Sequence, residues 1–117
     1  MIKMSIGLTR LQHLNQLQFL QYWQNEHALL VQSVVEVLGI RKYVQQTPMP
    51  TSSGLKNSSQ FNFDGIAEVW FDDAESVFVG HRQAEAKSAL EELNRDEARF
   101  IDQEKSVVWW SEEKHIK

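Results

Sequence analysis

Residues 64–71, Asp64-Gly65-Ile66-Ala67-Glu68-Val69-Trp70-Phe71, predict a strand that is apolar on both sides. Successive side chains of a strand point to opposite faces, so Ala67, Val69 and Phe71 share one face while Ile66, Glu68 and Trp70 share the other. A sheet built on such a strand cannot leave either face simply wet. One face takes helices, and the other is a surface for association.

The flanking sequence supplies the helices. Residues 2–8 alternate, with Ile2, Met4, Ile6 and Leu8 on one side and Lys3, Ser5 and Gly7 on the other, the period of a half-buried strand. Asn15 reads as a helix N-cap with Gln18 as its capping-box partner. Leu20, Trp23, His27, Leu30, Val34 and Leu38 then recur at helical spacing, and Gly39 is placed to end the helix, which spans 16–38. Residues 40–46 predict a second strand, with Tyr43 and Gln45 on the face opposite Lys42 and Val44. Residues 47–62 hold both prolines and many serines and form a loop. Asp72 and Glu75 open a short helix that Gly80 ends. Ala86, Ala89, Leu90 and Leu93 make an apolar stripe on a helix over 82–95. Residues 106–110 are the last strand, with Trp109 and Trp110 on opposite faces, and 112–117 is a charged tail that frays. The order is βαββαβ. It predicts an α+β, ferredoxin-like fold, a four-stranded antiparallel sheet with both helices on one face.

At 117 residues the chain is one domain, 1–117, long enough for a single core. The net charge of -4 and the lack of any Lys/Arg run argue against nucleic acid as a partner. There is no cysteine, which removes thiolate nucleophiles and disulfides and suits a cytoplasmic location. No stretch approaches the ~20 apolar residues of a membrane span. No HExxH, phosphate loop or GxGxxG is present, so no metal or nucleotide cofactor is expected.

The cluster Phe19, Tyr22, Trp23 and His27, with its downstream echoes Gly39…Tyr43-Val44-Gln45, Asp64 to Asp72 and Asp96-Glu97-Ala98-Arg99-Phe100-Ile101-Asp102, resembles the EthD family along nearly the whole chain. The resemblance implies a homodimer in which two sheets pair face to face as a dimeric α/β barrel, with a cleft between sheet and helices in each half. Members are linked to degradation of ethers and aromatics and to aromatic polyketide processing, and are often catalogued as oxidoreductases. The implied ligand is a small hydrophobic or aromatic molecule. The implied activity is a cofactor-independent oxidoreductase or a proton-transfer enzyme of isomerase or lyase type. A non-catalytic accessory of an oxygenase system is the alternative. Haem-binding barrels outside the family leave iron ligation by His27 open as well.

His27 is the first candidate for chemistry, because an imidazole exchanges protons near neutral pH. It lies on the apolar stripe and matches the family pattern YWxxxH together with Tyr22 and Trp23, which the resemblance makes candidates to bind the substrate beside it. Its alternative is a core histidine bonded at both nitrogens. An open cavity of about 300 Å³ or more beside the ring favours ligand chemistry over that role. Glu68 is the second candidate, as a carboxylate in an apolar strand that orients His27 or moves a proton itself. Its alternative is an ion pair with Arg41 or Lys3 at an interface. Tyr43 and Gln45 are candidates to hydrogen-bond a ligand, and Trp70 to stack on one, with core or interface packing as the competing roles. Asp102 is a candidate to point into the cleft, although the segment Asp96–Asp102 reads mainly as a structural corner, with Asp96 capping a turn and Phe100 plugging the core. The charged stretch from Glu91 to Arg99 reads as a solvated helix face.

Overall fold

The two central strands are β1 (Ile2–Leu8) and β3 (Gly65–Phe71), paired antiparallel from Ile2 opposite Phe71 to Leu8 opposite Gly65. β2 (Lys42–Gln46) adds outside β3, and β4 (Val107–Glu112) outside β1, both antiparallel. The order β2-β3-β1-β4 is that of a four-stranded ferredoxin-like sheet. The computed structural model describes residues 1–49, 55 and 61–117. Most of the expected 47–62 loop lies outside the described residues.

The first helical region opens at Asn15, whose side chain accepts from the Gln18 N–H while Gln18 Oε1 accepts from the Asn15 N–H. It runs as α1 (Gln16–Gln21), a π-helical segment (Tyr22–His27) and α2 (Ala28–Leu38). The expected uniform α-helix is therefore widened by one residue per turn in its middle. Gly39 closes it with φ +72°, the left-handed geometry that glycine takes without strain. On the other side of the sequence, α3 (Ala74–Gly80) is capped by Asp73, which accepts from the Ser76 N–H. Asp72, the expected cap, instead takes both Arg41 guanidinium bonds. α4 (Ala84–Glu97) starts and ends two residues later than its apolar stripe predicts. The strand expected from residue 40 starts at Lys42, and the last strand extends to Glu112, two residues further than expected.

Register puts Met4, Ile6, Leu8, Ala67, Val69, Tyr43, Gln45, Val108 and Trp110 on the helix-covered face. Leu8, Phe19, Trp23, Ala67, Phe100 and Ile101 form the main core, and Val34, Leu38, Ala86 and Ala89 a second cluster between α2 and α4. The opposite face carries Lys3, Glu68, Trp70, Gln46 and Trp109. There Lys3 Nζ bonds Glu68 Oε2 at 2.6 Å, Gln46 Nε2 donates to Glu68 Oε1, and the Lys3 and Lys42 ammonium groups lie 5.3 and 4.7 Å from the centroid of Trp70. Each such cation–π contact contributes about 0.5–1 kcal/mol at a partly exposed site. Phe63 lies over Gly7 and within 6.3 Å of Trp109, so one end of this face is already roofed.

Gly65 makes room for the core. A Cβ built there lies 2.4 Å from the ring of Trp23, which is 1% exposed. Gly65→Ala is expected to lower stability by about 1–3 kcal/mol, the cost of overpacking a filled interior. Gly80→Ala, where a Cβ meets nothing within 4 Å, is expected to lose far less. Urea unfolding of the two variants checks the contrast.

Candidate functional site

Tyr22 and His27 stand at the two ends of the π segment. In an α-helix a spacing of five residues leaves side chains roughly 140° apart. The wider π turn, with its i to i+5 bonds, brings them closer to alignment. Here both reach one carboxylate: Tyr22 Oη donates to Asp96 Oδ1 at 2.6 Å, and His27 Nδ1 lies 2.7 Å from Asp96 Oδ2. Asp96 comes from the last turn of α4. The corner after α4 holds it there. Phe100 is wholly buried beneath the Tyr22 and His27 rings, with centroids 5.0 Å from each. The Leu11 N–H donates to Phe100 O, Arg10 bridges to Ile101, and the Asp102 N–H donates to Thr9 O.

The electrostatics follow from this geometry. Burial lowers the His27 pKa, and Asp96 restores only part of that loss, so the ring is neutral at pH 7. Burial raises the Asp96 pKa, but bonds from Tyr22 and His27 and the positive charge of Arg99 outweigh it and hold the carboxyl below its ordinary value. With Asp96 ionised, the neutral imidazole carries its proton on Nδ1 as donor. Nε2 is then the basic nitrogen, and it has no hydrogen-bond partner among the described residues.

His27 lines a cleft of about 390 Å³ between the sheet and the helices. Its walls are mainly apolar, from Met4, Ile6, Val69, Trp110, Val31 and Leu93 among others. That size and lining suit a small hydrophobic molecule. Tyr43 also faces the cleft. Its hydroxyl accepts from Gln45 Nε2 at 2.9 Å, and burial raises its pKa, keeping the phenol neutral. Gln45 spans from Tyr43 to the carbonyl of Trp23, which also receives the Ala28 N–H of the π segment. Gln45 thus steadies the widened turn and does not line the cleft itself.

The remaining expected site residues are placed as follows. Trp23 lines the cleft as part of its inner wall. Tyr22 is not on the wall; it holds Asp96. Glu68 and Trp70 lie on the opposite sheet face, where Glu68 is paired with Lys3. Glu68 therefore does not orient His27, because the pleat turns it away, and Asp96 has that place. Asp102 is folded into its own turn, accepting from the Glu104 and Lys105 N–H groups, and is not on the cleft wall. Asp96 is no simple turn cap, and Glu97 is not on a solvated face. Glu97 lines the cleft, and burial, with the neighbouring Asp96 charge, pushes its pKa up to about 7. His81 lines the cleft as well, its Nε2 2.9 Å from the Leu38 carbonyl. The adjacent acids Asp96-Glu97 in the last helical turn were the available signal, but helix periodicity alone does not distinguish a solvated carboxylate from one under a histidine. Among the described residues no group of three His, Cys, Asp or Glu side chains is placed to hold a metal ion, and no helix is long and apolar enough to cross a membrane.

Comparison with known proteins agrees with this architecture. The chain is similar to an EthD family protein from Bacillus halodurans at 20% identity and a TM-score of 0.65, covering 97% of this chain and all of that one. It is similar to an EthD-like protein from Ralstonia eutropha at 16% identity and a TM-score of 0.63, covering 99% and 94% of the two chains. A dimeric protein of unknown function and ferredoxin-like fold from Bacteroides fragilis matches at 12% identity and a TM-score of 0.61, covering 96% and 95%. At these identities the likeness concerns the fold alone. No curated protein matches the chain. The EthD domain pattern matches residues 11–104, a span that holds the π segment, β3 and the Asp96–Asp102 corner, and the chain belongs to the EthD family.

Proposed function

We propose that this protein binds a small hydrophobic or aromatic molecule in the cleft between the sheet and the first helical region, and that His27 acts there as a proton-transfer base. The observation that carries this reading is the His27 ring: on the cleft wall, bonded at Nδ1 by Asp96, and with Nε2 left without a partner. An Asp–His pair of this kind fixes the tautomer and orients the ring, as a general base requires. Asp96 and Tyr22 are positioning residues in this scheme. The chemistry is of isomerase or lyase type, or an oxidation in which the protein supplies the base and the substrate meets oxygen directly. The proposed assembly is a cytoplasmic homodimer formed through the sheet face that carries Val107 and Trp109, both exposed. Its Bacteroides fragilis structural relative is described as dimeric. A role as accessory to an oxygenase system is the outcome to which failure of the first test below points.

Thermal-shift measurements with phenols, quinones and lactones test the binding. Stabilisation of the wild type by one class, lost in His27→Gln, is the expected result. A ligand at 100 times its Kd adds about 2.7 kcal/mol to the folded state. Binding that persists in His27→Gln with no turnover in either protein would favour the accessory role. Asp96→Asn is expected to cost about 1.5–3 kcal/mol, as for loss of hydrogen bonds to a charged group, and to move the His27 titration to lower pH, since the carboxylate that raises it is gone. NMR titration of the ring reads that shift directly.

The pH dependence of stability has a defined sign. A histidine whose folded pKa is lowered binds its proton better when unfolded. Its neutral burial therefore costs nothing above the unfolded value near 6.5, and stability falls as pH drops below it. His27→Gln is expected to flatten that fall below pH 6.5 in urea titrations. Trp109→Lys is expected to shift the mass seen by light scattering from dimer to monomer at micromolar concentration.

A further inference from the structure

We infer that Glu97 is a second catalytic residue of this cleft, acting as the acid on the carbonyl oxygen of an uncharged, enolisable ketone whose α-proton His27 removes. This deepens the proposed function and rests on its reading of His27 as a base.

Three features of the cleft lead to it. Glu97 and His27 line the same mainly apolar, partly open cleft, with His27 buried and Glu97 half-buried on its wall. The Glu97 carboxyl has no hydrogen bond or ion pair among the described residues and so is available to a ligand, whereas that of Asp96 beside it is fully engaged. The wall contains no Lys or Arg among the described residues. An anionic ligand would find no cation to meet it and would face the Asp96 charge nearby. A buried carboxyl in such a setting favours its neutral form, and a neutral carboxylic acid donates a hydrogen bond to a carbonyl oxygen. The titratable groups that face the cleft with Glu97 are His27 from the π segment, Tyr43 from β2 and His81 from the link between α3 and α4, with Asp96 adjacent on α4 itself. None of them is a permanent cation. The ligand is therefore an uncharged carbonyl compound with an aromatic or alicyclic body.

The step balances without a co-reactant. His27 Nε2 takes the proton from the carbon next to the carbonyl. The electron pair of that C–H bond becomes the C=C bond, the carbonyl π pair moves onto oxygen, and Glu97 supplies the proton of the new O–H bond. The enol then faces an imidazolium and a carboxylate. Return of the His27 proton to the same carbon, or to a conjugated one, and of the enol proton to Glu97 restores both groups. Nothing is oxidised or reduced. Return to a different carbon is an isomerisation; return to the same carbon is seen as isotope exchange once the proton on His27 Nε2 has traded with solvent deuterium before it goes back.

The test is exchange of the acidic CH₂ protons of 2-tetralone in D₂O, followed by proton NMR across pH 5–9, with 2-naphthoate as the charged counterpart in binding titrations. The wild type is expected to accelerate exchange at least about 10²-fold over buffer, the low end for a positioned acid–base group. The rate should fall as pH rises through about 7, where Glu97 loses its proton. Glu97→Gln is expected to lower the rate at pH 6 by about tenfold or more, to abolish the fall above pH 7, and to leave the Kd for 2-tetralone within about threefold. 2-Tetralone is expected to bind at least about tenfold tighter than 2-naphthoate, the discrimination of an apolar wall against a charge. A wild-type rate flat from pH 6 to 9, which needs no variant to observe, overturns the role of Glu97. So does an unchanged rate in Glu97→Gln while His27→Gln is inactive, a result that leaves the base reading standing. Tighter binding of 2-naphthoate overturns the uncharged ligand. A wild type that neither binds nor exchanges 2-tetralone overturns this inference, and failure of the phenol, quinone and lactone screen as well would sink the proposed function with it.

Discussion

The Asp96 carboxylate holds this molecule's site together. One oxygen takes the Tyr22 hydroxyl and the other faces His27 Nδ1, so the last turn of α4 is bonded to both ends of the π segment. Charged hydrogen bonds of this kind are worth about 1.5–3 kcal/mol each, and removing the acceptor would leave buried donors unmatched. The remaining features of the cleft depend on that contact. The π turn brings Tyr22 and His27 toward a common direction, Phe100 supports both rings from below, and the corner from Phe100 to Asp102 is bonded to the end of β1 through Thr9 and Leu11. A change at Tyr22 or in the corner acts on His27 through Asp96, and a change at Phe100 acts on the ring directly as well.

The two sheet faces divide the polar groups by neighbour, not by residue type. Glu68 and Glu97 are both carboxylates in largely buried positions. Glu68 meets Lys3 and Gln46 on the face away from the helices, and is compensated there. Glu97 sits on a mainly apolar wall beside the Asp96 charge with no cation paired to it among the described residues, and its pKa is pushed up to about 7. Two groups with the same intrinsic chemistry thus become a structural ion pair and a titrating acid. The difference comes from placement: the pleat of β3 turns Glu68 away from the side on which Ala67 and Val69 line the cleft, whereas Glu97 stands on α4 at the cleft wall.

Much of the fold was legible because period-2 and 3.6 patterns report burial directly. The strand from Gly65 to Phe71, the Asn15–Gln18 cap and the Gly39 terminus are where local spacing puts them. The site was legible only in part. His27 on the apolar stripe was visible, and its cleft position follows from the same stripe. Its partner was not, because Asp96 lies 69 residues away and its approach depends on the π widening, which has no periodic signature. Glu68 was the carboxylate that stood out, since a charge in an apolar strand draws notice. Glu97 did not, because a charge among charges on a helix reads as solvated. Asp72 and Asp73 show the same limit at one residue's scale: either can cap α3 by composition, and Arg41 decides by taking Asp72.

The opposite titrations of the two cleft groups constrain how such a site can work. His27 is held neutral by burial and so is a base over the range where an exposed histidine would be half charged. Glu97 is held protonated by the same burial, up to about 7. Apolar walls therefore produce a base and an acid together, with no cation needed to set either, and the pair is charge-neutral before substrate enters. After a proton passes from carbon to His27 and another from Glu97 to oxygen, the cleft would hold an imidazolium and a carboxylate. That separation is costly in an apolar space unless the charges lie close or the protons return promptly. The Asp96 carboxylate lowers the cost by stabilising the imidazolium at Nδ1. A site built this way favours reactions that end with both groups back in their starting protonation states, a condition met by isomerisation and by α-proton exchange with solvent and not by net removal of a proton.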